Sequence, residues 1–242
     1  MRGAGCTLND ILDRDIDGSV ARTSTRPLPN GDVTTTQAVG WLGLQMSVGL
    51  GVLVSLPHTF ETVKMGLATV PLFLLYPTAK RWTDKPQYVL GLMINSGTLL
   101  GPTIATGTFQ PSLAVPLYLG FASWTVVYDT IYAHQDKGDD KKLGLGSTAL
   151  AYGDDGTRWR LMLGTALFGI GMITAGFGAG LEGNGMFIWT AGTGVATGMT
   201  GMIVRESEWG NKEKLGRDFR KFGGIGGIVT ASSAAALAVG MV

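Results

Sequence analysis

The sequence predicts an all-α fold, a helical bundle that crosses a membrane several times. Two observations carry that reading. Hydrophobic residues make up 45% of the 242-residue chain and charged ones only 15%, with a mean hydropathy of +0.24. The apolar residues also gather into charge-poor stretches close to the roughly 20 residues that a helix needs to cross hydrocarbon, where each backbone polar group must be satisfied within its own segment.

Taken in order, a short apolar candidate ends in an acidic cluster at residues 9–17, and seven spans follow at 38–56, 65–79, 88–108, 113–133, 161–181, 184–204 and 222–242. The run 65–79 is short, but Lys64 and Lys80 at its ends can snorkel to the interface. No charge lies between Lys85 and Asp129, and Phe109-Gln110-Pro111 divides that run into two helices. Four glycine pairs, Gly97/Gly101, Gly176/Gly180, Gly194/Gly198 and Gly223/Gly227, have the small-xxx-small spacing of helix-packing stripes. The single cysteine, Cys6, excludes an intrachain disulfide framework and reads as a small packing residue.

If the chain crosses at each span, 17 of its 19 Lys and Arg residues fall on one face, with Arg2 and Lys64 elsewhere. By the positive-inside rule that face is cytoplasmic, or the matrix side in a mitochondrion. The net charge of +1 gives no reason to expect a nucleic-acid partner, and membrane lipid is the expected surrounding.

Both acidic clusters open onto this face. Asn9, Asp13 and Asp17 stand at i, i+4 and i+8, one stripe of a helix, with Asp10 at its edge. Asp136 and Asp140 repeat the i, i+4 spacing, with Asp139 adjacent. An ionised Asp near the bilayer core costs at least about 2.5 kcal/mol. Solvated loop charges would explain one such cluster; two on one face point to compensating divalent cations. Magnesium suits this arrangement, because it takes one or two carboxylates and completes its shell with water and phosphate oxygens. Arg22, Arg26, Lys80 and Arg81 are placed to neutralise a diphosphate. Asp17-Gly18-x-x-Ala21-Arg22, with Gly31 beyond, opens like the CDP-alcohol phosphotransferase signature, but Thr35 and Val39 stand where its further aspartates belong, so that chemistry is excluded.

Asn9-Asp10-x-x-Asp13-x-x-x-Asp17, Arg22-Thr23-x-x-Arg26-Pro27-Leu28, Tyr76-Pro77-x-x-Lys80-Arg81, the run Tyr128 to Asp140 and Ser147-Thr148-Ala149 together resemble the UbiA superfamily of intramembrane aromatic prenyltransferases. Residues 2–7 and 128–140 are most similar to its mitochondrial 4-hydroxybenzoate branch. The resemblance implies nine helices around a central cavity with a lateral opening to lipid. About eight would remain here, in one domain over residues 1–242 that lacks the first family helix and part of the second. It further implies Mg²⁺ bound by Asn9, Asp10, Asp13, Asp17, Asp136 and Asp140, with Asp13, Asp17, Asp136 and Asp140 catalytic. Arg22, Arg26, Lys80 and Arg81 would hold the diphosphate, and Tyr76 and Tyr132 would shield a carbocation. The implied reaction moves a polyprenyl group from polyprenyl diphosphate to a ring carbon of 4-hydroxybenzoate in ubiquinone synthesis. It would run on the matrix face of the mitochondrial inner membrane, with ubiquinone-biosynthesis proteins as partners. A different aromatic acceptor and an inactive fragment are the alternatives. Gly146 departs from the pattern that the resemblance implies, in which the place is usually taken by Lys.

Overall fold

A computed structural model describes residues 2–19 and 23–240, and each regular element among them is helical. Helices α1 (Arg2–Leu12) and α2 (Arg14–Gly18) form a broken first rod. Next come α3 (Thr35–Ser55) and α4 (Thr59–Leu75), the latter tightening into a 3₁₀ turn at Tyr76–Arg81. Helices α5 (Pro86–Ile94) and α6 (Gly97–Thr106) form another broken rod. The chain ends with four long helices, α7 (Pro111–Leu143), α8 (Thr148–Gly178), α9 (Gly183–Glu206) and α10 (Lys212–Gly240). With each broken pair counted as one rod, the described residues form the eight expected.

Five of these rods, namely α3, α5 with α6, α8, α9 and α10, are long and apolar enough to cross a membrane, and the chain is an integral membrane protein. Each rod packs on its neighbour in sequence, and α10 returns to pack on α7. The apolar core lies among α7 to α10, where Trp124 stacks on Phe168 at 5.3 Å between ring centroids. Trp124 satisfies its buried indole N–H on Thr200 Oγ1 at 3.1 Å.

Helix ends follow local chemistry. Thr34 and Gln37 make a reciprocal capping box before α3. Pro111 opens α7, where its missing N–H costs nothing, and Gly144 closes it at φ 66°. At 33 residues α7 is about 50 Å long, well beyond a hydrocarbon thickness of about 30 Å. Its C-terminal turns are its polar part, and they carry Asp136 and Asp140 together with Lys137, Asp139, Lys141 and Lys142.

Several expectations need correction. The span 88–108 is broken, because Asn95 turns its side-chain amide onto Gly91 O and Thr125 Oγ1, both at 2.8 Å, and Ser96 and Gly97 hold helix weakly. The helix expected at 161–181 begins at Thr148 and is interrupted at Gly153 (φ 63°, ψ 176°). The proposed glycine stripes largely fail: a Cβ at Gly97, Gly101, Gly194, Gly198, Gly223 or Gly227 would meet nothing within 4 Å and Gly180 is a turn residue, so of the eight only Gly176 admits a neighbour, with a Cβ there 2.8 Å from Trp189. Close helix approach occurs elsewhere. A Cβ at Gly91 would come 2.7 Å from Ala122 O, and one at Gly171 2.7 Å from Gly120 Cα.

Candidate active site

The first ladder survives a break in its helix. Asp13 leaves helical geometry (φ −96°, ψ 6°) between α1 and α2, yet Asp13 N bonds Asn9 O at 2.8 Å and Asp17 N bonds Asp13 O at 2.7 Å. The i, i+4 stacking of Asn9, Asp13 and Asp17 is therefore kept. Asp13 and Asp17 are buried, at 4% and 9% exposure, and Asp10 is half-buried beside them. Thr23 donates to Asp17 O at 2.9 Å, tying the segment from residue 23 onward to the ladder.

Arg26 clasps this ladder. Its Nη1 lies 3.0 Å from Asp10 Oδ1 and 2.7 Å from Asp17 Oδ2. Arg81 donates Nη2 to Leu12 O at 2.8 Å and stands 3.7 Å from Asp13 Oδ1. Arg22 lies outside the described residues. Among the described residues no three His, Cys, Asp or Glu side chains converge into a ready-made metal cage. The cations hold the carboxylates with which they would share a ligand. Because the acidic set supplies only oxygen, it fits a hard divalent cation that draws its remaining ligands from water and substrate.

Lys80 joins the two clusters. It stands within electrostatic range of Asp13 on the first ladder and of Asp129 and Asp140 on α7. Its carbonyl accepts the Gly146 N–H at 3.2 Å. A Cβ at Gly146 would collide with the Thr83 carbonyl, so lysine there is incompatible with the way this loop seats Lys80. Asp140 accepts a hydrogen bond from Ser147, and Asp136 is its electrostatic neighbour.

Asp129 was absent from the expected site. It lies seven and eleven residues before Asp136 and Asp140, hence on the same stripe of α7, and Gln87 hydrogen-bonds it. Gln87 also accepts the Thr148 N–H at 2.9 Å, which locks α5 to the start of α8. The i, i+7, i+11 spacing was a readable signal.

A cavity of about 980 Å³ opens at the first ladder. Asn9, Asp10, Arg26 and Tyr76 line its polar end, and its body is apolar, with Leu50, Leu53, Val70, Phe73 and Leu100 among its walls. Cys6 is exposed and lines this cavity, so it is no packing residue. Tyr132 packs on Phe219 of α10 at 4.8 Å and is not part of this cavity's lining. His134 is buried, with Nδ1 2.9 Å from Thr130 O and its ring 4.7 Å from Trp209, a structural setting.

The model of the UbiA prenyltransferase family matches residues 1–224. The chain belongs to that family. Relatives include the mitochondrial 4-hydroxybenzoate polyprenyltransferase of Arabidopsis thaliana, 44% identical over 219 residues, which are 90% of this chain and 52% of that protein. 4-Hydroxybenzoate geranyltransferase 1 of Lithospermum erythrorhizon is 48% identical over 177 residues, 72% of this chain and 55% of its own length. The chain thus spans about half the length of the curated relatives it matches. The UbiA fold is also seen in the apo structure of a UbiA homolog from Aeropyrum pernix K1, with a TM-score of 0.79 and 24% identity, covering 100% of this chain and 86% of that one.

Burial pushes Asp140 up to about 6; Lys80 opposes the rise and Asp136 adds to it. Since the folded form then binds more protons than the unfolded one, stability falls as pH rises from about 4 through about 6. Asp140→Asn should therefore flatten the decline in thermal stability of the ligand-free protein between about pH 4 and pH 7, measured by differential scanning fluorimetry. An unchanged slope would contradict the buried, raised Asp140.

Proposed function

We propose that this chain is the prenyltransferase domain of a 4-hydroxybenzoate polyprenyltransferase, moving an isoprenoid from its diphosphate to a ring carbon of the acceptor. One observation carries the reading: a single cavity joins a carboxylate and guanidinium head to a long apolar body, the shape of an allylic diphosphate. The acceptor comes from the names of the relatives, two of which differ in the isoprenoid they transfer. We place the domain over residues 1–242, in a mitochondrial inner membrane with its acidic face towards the matrix and ubiquinone-biosynthesis proteins as neighbours.

In this reading Asn9, Asp10, Asp13, Asp17, Asp136 and Asp140 would hold Mg²⁺, which when bound neutralises charge on the diphosphate. Arg26 exchanges Asp10 and Asp17 for phosphate oxygens, and Lys80 and Arg81 add positive charge beside the leaving group. The allylic C–O bond then breaks towards a carbocation inside an apolar space that excludes water. The Tyr76 ring face at the cavity's polar end stabilises that cation, whereas Tyr132, packed on Phe219 and outside this cavity's lining, is better read as holding α7 to α10. The ring carbon of the acceptor forms the new C–C bond and then gives up its proton, which the released diphosphate can take.

The test is prenylation of 4-hydroxybenzoate by membranes containing the full chain, with and without Mg²⁺, the product identified by mass. Product only with Mg²⁺ and only from diphosphate donors supports the reading, whereas product from a different phenol alone replaces the acceptor. Val70→Trp, which narrows the apolar body, should slow transfer of long isoprenoids more than of geranyl. Equal loss for both would detach the cavity from the isoprenoid tail.

A further inference from the structure

A second cavity, about 830 Å³, lies between α5, α7 and α8 and shares no lining residue with the first. Gly120 and Gly171 bring α7 and α8 together at its floor. Leu119, Leu163, Leu167 and Ile170 form its walls and remain 46–61% exposed, so the trench is open along its side. Hydrocarbon of the bilayer would fill such a trench in any membrane protein. Its mouth is more particular.

At the end level with the acidic face, Tyr88 and Tyr152 join their hydroxyls at 2.7 Å, bridging α5 to α8. Above them the Arg160 guanidinium lies 4.9 Å from the Tyr152 ring and 4.5 Å from the Trp159 ring. Its Nη1 donates to Gly156 O at 3.0 Å, which turns the side chain back from the lipid-facing turns of α8 towards the interface. Among the described residues no carboxylate pairs with Arg160, while the other charges at the mouth, Lys85 and Asp84, pair with each other at 3.9 Å. The mouth thus holds one uncompensated positive charge, and phenolic hydroxyls, at the head of an apolar trench that runs towards the opposite leaflet.

We infer that this trench binds one anionic phospholipid from the leaflet on the active-site side. Its phosphodiester would sit against Arg160 and the Tyr88/Tyr152 hydroxyls, and an acyl chain would run along Leu163, Leu167 and Ile170. One phosphodiester charge matches the mouth. A second copy of this chain would have to bury Arg160 opposite a carboxylate, a costly arrangement unless the pair is well matched.

The test uses the full chain released from nanodiscs of phosphatidylcholine with or without phosphatidylglycerol, with bound lipid read by native mass spectrometry. The parent chain should retain phosphatidylglycerol in preference. Arg160→Gln should lower that retention about fivefold and leave phosphatidylcholine unchanged. Leu167→Trp, which fills the trench, should lower both, while Arg205→Gln, an exposed cation outside the trench, should change neither. Unfolding temperatures measured in the same detergent separate lipid loss from misfolding. Equal retention of the two lipids by the parent chain would overturn the site, as would full retention by Arg160→Gln or an equal loss in Arg205→Gln. So would dimers that Leu167→Trp dissociates, since they would mean that a second copy fills the trench.

Discussion

Asparagine at Asp13 or at Asp136 is expected to cut prenyl transfer by roughly 100- to 1000-fold in each case, with the protein still folded. Asparagine keeps the volume and one oxygen but removes the charge that a metal and its diphosphate would face. Burial raises the Asp13 pKa, with Lys80 and Arg81 working against that rise. The folded chain therefore loses little when Asp13 gives up its charge, whereas a metal bound in the proposed way would lose a ligand. The double variant is the sharper measurement. If both ladders act on one metal and one diphosphate, the Asp13→Asn/Asp136→Asn double variant should be about as slow as the worse single variant. Losses that multiply would mean that the ladders serve separate events. Steady-state rates of product formation in membranes, with expression matched by blot, decide between these results.

Lys80→Met should produce the second large effect, and on two properties. Lys80 lies within electrostatic range of Asp13, Asp129 and Asp140 together, so its removal takes a neutralising charge from carboxylates of both clusters at once. Transfer should fall roughly 100-fold, as expected when a preorganised charge at a leaving group is removed. Thermal stability should also become more dependent on pH. Without the cation the carboxylates hold their protons more tightly, so the folded state binds more protons than the unfolded state over a wider range and stability declines more steeply as pH rises. The variant should approach the parent chain near about pH 5 and fall well below it near about pH 8. Parallel stability curves for the two proteins would show that Lys80 is not the electrostatic bridge described above.

The parts of this arrangement that were legible in the sequence are those governed by spacing along one helix. Asn9, Asp13 and Asp17 were readable because their backbone hydrogen bonds run at i, i+4 even across the break at Asp13. Asp136 and Asp140 were readable for the same reason, although they sit on a continuing α7. Asp129 obeyed the same periodicity and was still missed, because it stands inside an apolar span where a carboxylate reads as part of the run. Relations between helices were harder to read. The clasp of Arg26 on Asp10 and Asp17 depends on how the chain after α2 folds back, and the bridging position of Lys80 depends on the loop at Gly146. The glycine stripes failed for a related reason. Spacing tells which residues share a face but not what that face meets: of the eight paired glycines only Gly176 seats a neighbour, Trp189, while Gly91, Gly120 and Gly171, which admit a neighbouring backbone, stood outside the pairs.

The most direct measurement is electron paramagnetic resonance of Mn²⁺ added in place of Mg²⁺, with a prenyl diphosphate bound to the purified full chain. Phosphorus hyperfine coupling to bound Mn²⁺ is expected in the parent chain, and it should disappear in Asp13→Asn and in Asp136→Asn alike. Coupling that survives loss of either ladder, or Mn²⁺ that binds with no phosphorus nearby, would contradict a shared metal and diphosphate site.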